Sequence, residues 1–319
     1  MHRRFHVCRD GDPVPAALQG AVVAIGNFDG VHRGHQALIG AARDVGSRLG
    51  RPCAVLTFEP HPRVFFKPDV PLFRLTPEPV KIDVLRRHGL DGVFIREFDA
   101  DLAALSADAF VAHLLVDAVE AAGVVVGHDF HFGHAREGTP RRLEELCRRH
   151  DLDCTIVSVV AERGQAVSSS AIRAALDDGD VARANGYLGY RWFVRADVRH
   201  GDKRGRQLGF PTANLRLPDD NRLRHGIYAV RVRVGDRVHG AVASHGRRPT
   251  FDNGAPLLEA HLFDFAADLY GQTVDVEFVG WIRGEERFDS AEALVARMNR
   301  DAGEAKATLA VEATRSLIG

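Results

Sequence analysis

Two histidines, His32 and His35, stand three residues apart in the segment GNFDGVHRGHQALI, residues 26–39, with Gly34 between them. A run of five apolar residues, 21–25, leads into this segment, and Ala37-Leu38-Ile39 closes it. That order reads as strand, turn, helix. In an open α/β sheet, ligands bind beyond the carboxyl ends of the strands. The free amides of a helix's first turn attract phosphate there. At i, i+3 the two imidazoles share one face of that first turn, and Gly34 lets a phosphate come close to the backbone. Imidazoles so placed can donate hydrogen bonds to phosphate oxygens and offset charge developing at phosphorus. Read as a tetrapeptide alone, the same residues fit a pair of capping or surface histidines.

Three further segments carry candidate chemistry. In VSSSAIR, residues 167–173, Ser168 to Ser170 can cap a helix and touch phosphates, and Arg173 can hold a polyphosphate. In GDKRGRQLGFPTANL, residues 201–215, Gly201, Gly205 and Gly209 recur every four residues, which suits a flexible loop closing over phosphates. Thr212 and Asn214 come next as oxygen ligands for Mg²⁺, a hard cation that keeps its waters. In LLEAHLF, alternation puts Leu257, Glu259, His261 and Phe263 on one face. A carboxylate on so apolar a face should have a purpose, because burying it unpaired is costly.

Two other patterns point elsewhere and carry less. His128, His131 and His134 recur every three residues, but glycine and phenylalanine between them make a loop, and no second ligand cluster accompanies them. Arg141-Arg142 and Arg148-Arg149 share a helix with Glu144-Glu145, which reads as a solvated face rather than an RNA site.

The elements that must position these residues fall into two rhythms. Up to about residue 185, strand-like runs (21–25, 53–58, 92–95, 123–126, 154–160) alternate with helix-like stretches (34–49, 78–88, 106–120, 140–150). Such alternation predicts a parallel sheet covered by helices. From residue 186, short runs of period two (192–198, 227–234, 238–243, 257–263, 274–279) are separated by turn signals, and a helix runs from residue 290 to about 317. This predicts a small antiparallel β-barrel or sandwich with a terminal helix. The chain is accordingly an α/β protein of two domains, 1–185 and 186–319.

At 319 residues and 45% hydrophobic, the chain can bury two cores. Its formal net charge of −1 argues against a general electrostatic grip on nucleic acid. Four cysteines with no CxxC pair are expected to be free thiols in a reducing compartment. The basic N-terminal stretch has no apolar core, and no run is long enough to span a membrane. A cytoplasmic protein is the expectation.

Residues 32–35, HRGH, resemble the HxGH signature of the nucleotidylyltransferase superfamily, which cleaves ATP between its α- and β-phosphates. VSSSAIR resembles that superfamily's ISSTxxR segment. TFEPHPRVFF (57–66), FDADLAALSADAFV (98–111) and VGHDFHFGHAREGT (126–139) resemble segments of bacterial FAD synthetases. GDKRGRQLGFPTANL resembles the riboflavin kinase signature ending in PTAN, and LLEAHLFDFAADLYG (257–271) resembles that family's segment carrying the general base. The chain is thereby identified as similar, over nearly its whole length, to the prokaryotic bifunctional riboflavin kinase/FMN adenylyltransferase family.

The resemblance implies an N-terminal Rossmann-like nucleotidylyltransferase domain and a C-terminal kinase barrel. It implies ATP contacts from Gly26, Asn27, Phe28, Asp29, Gly34, Ser169, Ser170, Gly201, Gly205 and Gly209. Catalysis would fall to His32, His35, Arg173 and Glu259, flavin contact to Phe58, Pro60, Asp129, Phe130, Phe132 and Arg248, and Mg²⁺ to Thr212 and Asn214. ATP, riboflavin, FMN and FAD are the implied substrates and products. Partners would be small molecules, with no nucleic acid or membrane, and the chain a monomer or weak homo-oligomer. Three places depart from the family's pattern: Ala171 where its TRIR has an arginine, His131 within DFHFG, and Ser244, His245 and Arg247 within GAVASHGRRPTF.

Overall fold

The computed structural model of the protein describes residues 4–162, 164–200, 210–247, 256–311 and 314–318. Four candidates, Gly201, Gly205, Gly209 and Arg248, lie outside the described residues. The chain forms two compact units. The first is Met1–Leu72 with Thr76–Val167, and the second is Phe73–Leu75 with Ser168–Gly319.

In the first unit, β1 (His6–Cys8), β2 (Val22–Ile25), β3 (Cys53–Glu59), β4 (Gly92–Glu97), β5 (Gly123–Gly127) and β6 (Asp153–Val157) build one sheet in the order β1-β4-β3-β2-β5-β6. Every pairing is parallel. The central strands β2 and β3 are buried along nearly their whole length, which is why they read as unbroken apolar runs. A small ribbon pairs β7 (Ala161–Glu162) with β8 (Gln165–Ala166). Six helices accompany the sheet: α1 (Arg33–Leu49), α2 (Pro62–Phe66), α3 (Glu78–Arg86), α4 (Ala100–Ala104), α5 (Ala107–Ala109) and α6 (Pro140–Arg149). Helix α5 runs on as a π-helical stretch, Phe110–Ala118.

From β2 the chain proceeds to β3 and β4 on one side, then returns to β5 and β6 on the other. The order therefore reverses between β2 and β5, and that switch point is where an open sheet offers a crevice. The C-terminal ends of β3, β2 and β5 and the turns after them hold residues 58–60, 26–32 and 127–132, so the candidates among these residues gather at one end of the sheet.

The second unit contains α7 (Ser169–Asp177), α8 (Val181–Leu188), six strands and α9 (Ala291–Val311). The strands are β9 (Phe193–Arg199), β10 (Ala213–Arg216), β11 (Gly226–Val234), β12 (Arg237–Arg247), β13 (Pro256–Leu262) and β14 (Thr273–Arg283). They close into a barrel in the order β10-β13-β12-β11-β14-β9, all antiparallel. Leu215, Tyr228, Val230, Leu258, Ala260, Val276 and Phe278 are fully buried along these strands. Closure leaves the barrel without a free edge.

Residues 168–185, grouped with the first half by sequence rhythm, pack in the second unit. Asn185, 1% exposed, explains the attachment. Its Nδ2 donates to the Phe278 carbonyl at 3.0 Å, and its Oδ1 accepts from the Trp192 amide at 2.8 Å. A buried amide so bonded ties α8 to β14 and to the entry of β9.

Candidate active sites

The turn between β2 and α1 is built around the two histidines. His32 is the N-cap of α1, and its Nδ1 accepts from the His35 backbone N–H at 3.3 Å. An accepting Nδ1 puts the ring proton on Nε2, where it can be donated. The two rings stack, with centroids 3.7 Å apart and planes 16° apart. A Cβ on Gly34 would lie 3.1 Å from the His32 ring, so glycine is what lets the ring fold over the helix start. Nδ1 of His35 is enclosed and has no hydrogen-bond partner. Burial, then His32 and the Lys81 ammonium, hold His35 well below the usual imidazole range. These influences favour the neutral form of His35 near pH 7.

Residues outside the candidate set hold this turn. The Asn27 carbonyl accepts from Thr57 Oγ1 and from Lys81 Nζ, each at 3.1 Å. Asp29 Oδ1 accepts from the Thr76 amide at 2.9 Å and its hydroxyl at 3.3 Å, while Gly30 N–H donates to Thr76 Oγ1 at 2.8 Å. Asp29 is 1% exposed and Phe28 fully buried, so both brace the turn from beneath. The Phe28 ring lies 4.9 Å from the His35 ring, and a Cβ on Gly26 would meet it at 3.3 Å. Thr57 opens the segment 57–66 but is not singled out within it, and Thr76 and Lys81 lie in no motif that marks them in the sequence. Lys81 leaves one trace, since Val80, Val84 and Leu85 mark the buried face of α3 and Lys81 shares it.

The aromatic candidates separate by burial. Phe132 belongs to the core, against Phe110 at 5.0 Å, and supports Phe130, stacked on it at 5.4 Å and 15°. Phe130 is half-buried, and Asp129 and Pro60 are exposed. Phe58 is buried and meets Phe98 edge-on. Phe65 and Phe66 of α2 also pack on Phe98, and Phe66 is 63% exposed. This exposed aromatic patch is a feature the candidate set lacked, though Phe65 and Phe66 lie in the segment 57–66.

In the second unit, Ser168 caps α7 by accepting from the Ala171 amide at 3.2 Å, and Ser169 and Ser170 occupy the first turn. Arg173 Nε donates to the Phe73 carbonyl at 2.6 Å.

The barrel candidates meet across strands. Asn214 on β10 is paired with Glu259 on β13, and Glu259 with Ser244 on β12. Asn214 Nδ2 donates to the Thr212 carbonyl at 3.3 Å, which turns Oδ1 away from that bond. His261 Nδ1 donates to the Pro211 carbonyl at 2.9 Å, and its ring lies 5.0 Å from Phe210. His261 thus pins the segment before Thr212 against β13, a role that alternation alone does not indicate. The expectation for the face of Glu259 needs correcting. Leu258, Ala260 and Leu262 are the buried set, and Leu257, Glu259, His261 and Phe263 are half-exposed. Both faces of LLEAHLF carry leucine, so alternation alone could not tell which one the barrel encloses. Of the departures from the family pattern, Ser244 neighbours Glu259, and His245 is fully buried with Nδ1 3.4 Å from the Arg224 carbonyl.

Hydroxyl, amide and carboxylate oxygens from Thr212, Asn214 and Glu259 are the hard donors that Mg²⁺ takes. Among the described residues, no group of three or more His, Cys, Asp or Glu side chains is arranged to hold a metal ion. His128, His131 and His134 are exposed. Cys8, Cys53, Cys147 and Cys154 are free thiols. Among the described residues, no helix is long and apolar enough to cross a membrane.

A histidine pair at the switch point of a parallel sheet, in a chain that also holds a closed barrel with Asn and Glu as cross-strand partners, gives two candidate sites whose side chains suit phosphate chemistry. Comparison with known proteins makes this specific. The FAD synthetase family model matches residues 14–171, and the riboflavin kinase model matches residues 188–309. The bifunctional riboflavin kinase/FMN adenylyltransferase of Escherichia coli K12 is 40% identical over 90% of this chain and 92% of its own. The protein of the same description from Bacillus subtilis 168 is 36% identical over 89% and 91%. A crystal structure described as a macrolide-efflux protein from Streptococcus pneumoniae superposes with a TM-score of 0.84 and 32% identity, covering 92% of this chain and 97% of that one. The chain belongs to the bifunctional riboflavin kinase/FMN adenylyltransferase family, transferases of flavin cofactor biosynthesis.

Proposed function

We propose that the first unit adenylylates FMN at the turn 26–35, and that the second phosphorylates riboflavin beside Asn214 and Glu259. In the adenylylation, an FMN phosphate oxygen attacks the α-phosphorus of ATP and pyrophosphate leaves. The phosphate nucleophile is already ionised near neutrality, with a second pKa of about 6, so no strong base is needed. Nε2–H of His32, the neutral His35 and the first amides of α1 donate to oxygens on which charge develops. Ser169, Ser170 and Arg173 are assigned to the same reaction on their motif alone. Flavin contact falls to the aromatic and polar candidates at the ends of β3 and β5.

In the kinase reaction, the ribityl 5′-hydroxyl attacks the γ-phosphorus of ATP and ADP leaves. Glu259 orients that hydroxyl and accepts its proton. Thr212 and Asn214 would hold Mg²⁺, which supplies neutralisation of phosphate charge when bound. We place both reactions in the cytoplasm, on small-molecule substrates.

The observation that carries this reading is the stacked pair itself: a capping His32 over a His35 whose enclosed Nδ1 lacks a partner, at the sheet's switch point. The test is incubation of the full chain with riboflavin, ATP and Mg²⁺, with chromatography of the flavins afterwards. FMN and FAD together are expected. FMN alone would remove the adenylylation assignment, and neither product would remove both.

A further inference from the structure

We propose that Lys81 is a positioning residue for adenylyl transfer, its buried ammonium fixing the turn that presents His32 and His35. The inference rests on the reading of the first unit as the adenylylation site.

Lys81 lies on α3 and is 1% exposed. Removing an ammonium from water is costly unless partners compensate it. Its Nζ meets Glu59 Oε1 at 2.6 Å, the Asn27 carbonyl at 3.1 Å and Thr57 Oγ1 at 3.3 Å. Three acceptors match the three N–H donors of an ammonium. Among Val80, Val84 and Leu85, an apolar residue would fill the same place at lower cost. A lysine can do what leucine cannot, which is to hold a carbonyl.

That carbonyl matters because strained backbone lies next to it. Phe28 has φ 49° and Val31 φ 39°, left-handed values for residues with a Cβ. Such a residue is strained and persists only where its surroundings over-determine it. Thr76, just before α3, grips Asp29 and Gly30. Lys81, on α3 itself, grips Asn27. One segment thus clamps the turn on both sides of Phe28, whose ring lies against His35. If Asn27 moves, Phe28 moves, and His35 moves with it. The titratable and charged groups acting on His35 are the stacked His32 and Lys81. Beyond them stand Glu59, paired with the ammonium, and Asp29, bonded to Thr76.

The experiment uses the full chain with Lys81→Met, and with Lys81→Met combined with Glu59→Gln so that no carboxylate is left uncompensated. Riboflavin phosphorylation by the second unit serves as the folding control and should stay within about twofold. FMN adenylylation should lose kcat by roughly 10²-fold, the scale of a 1 Å misplacement of reacting groups, with a smaller change in KM. Loss of the neighbouring cation should move the His35 titration, monitored by NMR of labelled histidine, upward toward the ordinary imidazole value. An unchanged kcat, or a loss of kcat with no movement of the His35 titration, would overturn the proposal. His35→Ala run in parallel separates the two readings. Full adenylylation by that variant would overturn the assigned site, whereas its loss beside an active Lys81→Met enzyme would overturn only the role of Lys81.

Discussion

Asn214 on β10 and Glu259 on β13 are direct cross-strand partners, with Ser244 on β12 facing Glu259 from its other side. Side chains opposite each other in an antiparallel pair have Cβ atoms roughly 4.5–5.5 Å apart. One strand pair therefore sets an amide and a carboxylate side by side. Glu259→Gln keeps that geometry and removes the charge and the proton acceptor. Riboflavin phosphorylation should fall by about 10²–10⁴-fold, the usual scale of a general base, while FAD formation from supplied FMN continues. A Gln variant phosphorylating at close to the parent rate would show that Glu259 is not the base.

His35→Ala removes a group that shares the helix start with His32 and whose Nδ1 has no partner to lose. Folding should suffer little, because no buried acceptor or donor is orphaned by the change. Adenylylation should drop by roughly 10²–10³-fold, as when one preorganised donor leaves a transition state. Riboflavin phosphorylation, measured in the same preparation, should be unaffected. If both activities vanish together, the histidine is holding the fold rather than the phosphate.

Two fragments test where the second unit begins. A fragment of residues 186–319 lacks Asn185, which bonds Phe278 and Trp192. It removes one donor to the buried Phe278 carbonyl and the acceptor of the buried Trp192 amide, and a buried group left unpaired costs about 1–3 kcal/mol. A fragment of residues 168–319 keeps both bonds and helices α7 and α8. The longer fragment should melt at the higher temperature, and it should phosphorylate riboflavin. Equal melting temperatures would mean that α7 and α8 contribute nothing to the barrel unit.

The sequence is most readable where burial is two-sided or the alternation one-sided. Strands β2, β3 and β5 show as apolar runs because both of their faces are buried, and β11 shows as alternation because one face meets the barrel interior; β14 alternates in residue type although Asp275 and Glu277 on its other face are buried too. Strand β1 is three residues long at the sheet edge and shows no period to read. Strand β10 is overlapped by a motif, Thr212 to Asn214, and does not show as a strand, because only four residues pair. Glu259 is identifiable while its face is not, since leucines lie on both sides of that strand. Lys81 is hidden because lysine ordinarily means solvent. Its place depends on Glu59 and the Asn27 carbonyl, which only the folded chain brings to it.

Glu277 is a fully buried carboxylate on β14. Its Oε1 accepts from the Ser316 hydroxyl at 2.8 Å, the Leu317 amide at 2.9 Å and the Ile318 amide at 3.3 Å. Its Oε2 lies 3.6 Å from the buried Arg191 guanidinium. One side chain thereby fastens the C-terminal segment, whose Leu317 and Ile318 are both buried. Glu277→Ala strips three donors and a cation of their partner at once. Breaking a buried ion pair from one side costs about 3–5 kcal/mol, so the unit's melting temperature should fall by roughly 10 °C. Glu277→Gln retains an acceptor for the three donors and loses only the charge, and should fall by less. The ordering parent, Gln, Ala in a thermal melt read out by riboflavin phosphorylation is the expected outcome. If Ala melts within a degree or two of the parent, the tail is not held by Glu277 and its burial rests on Leu317 and Ile318 alone.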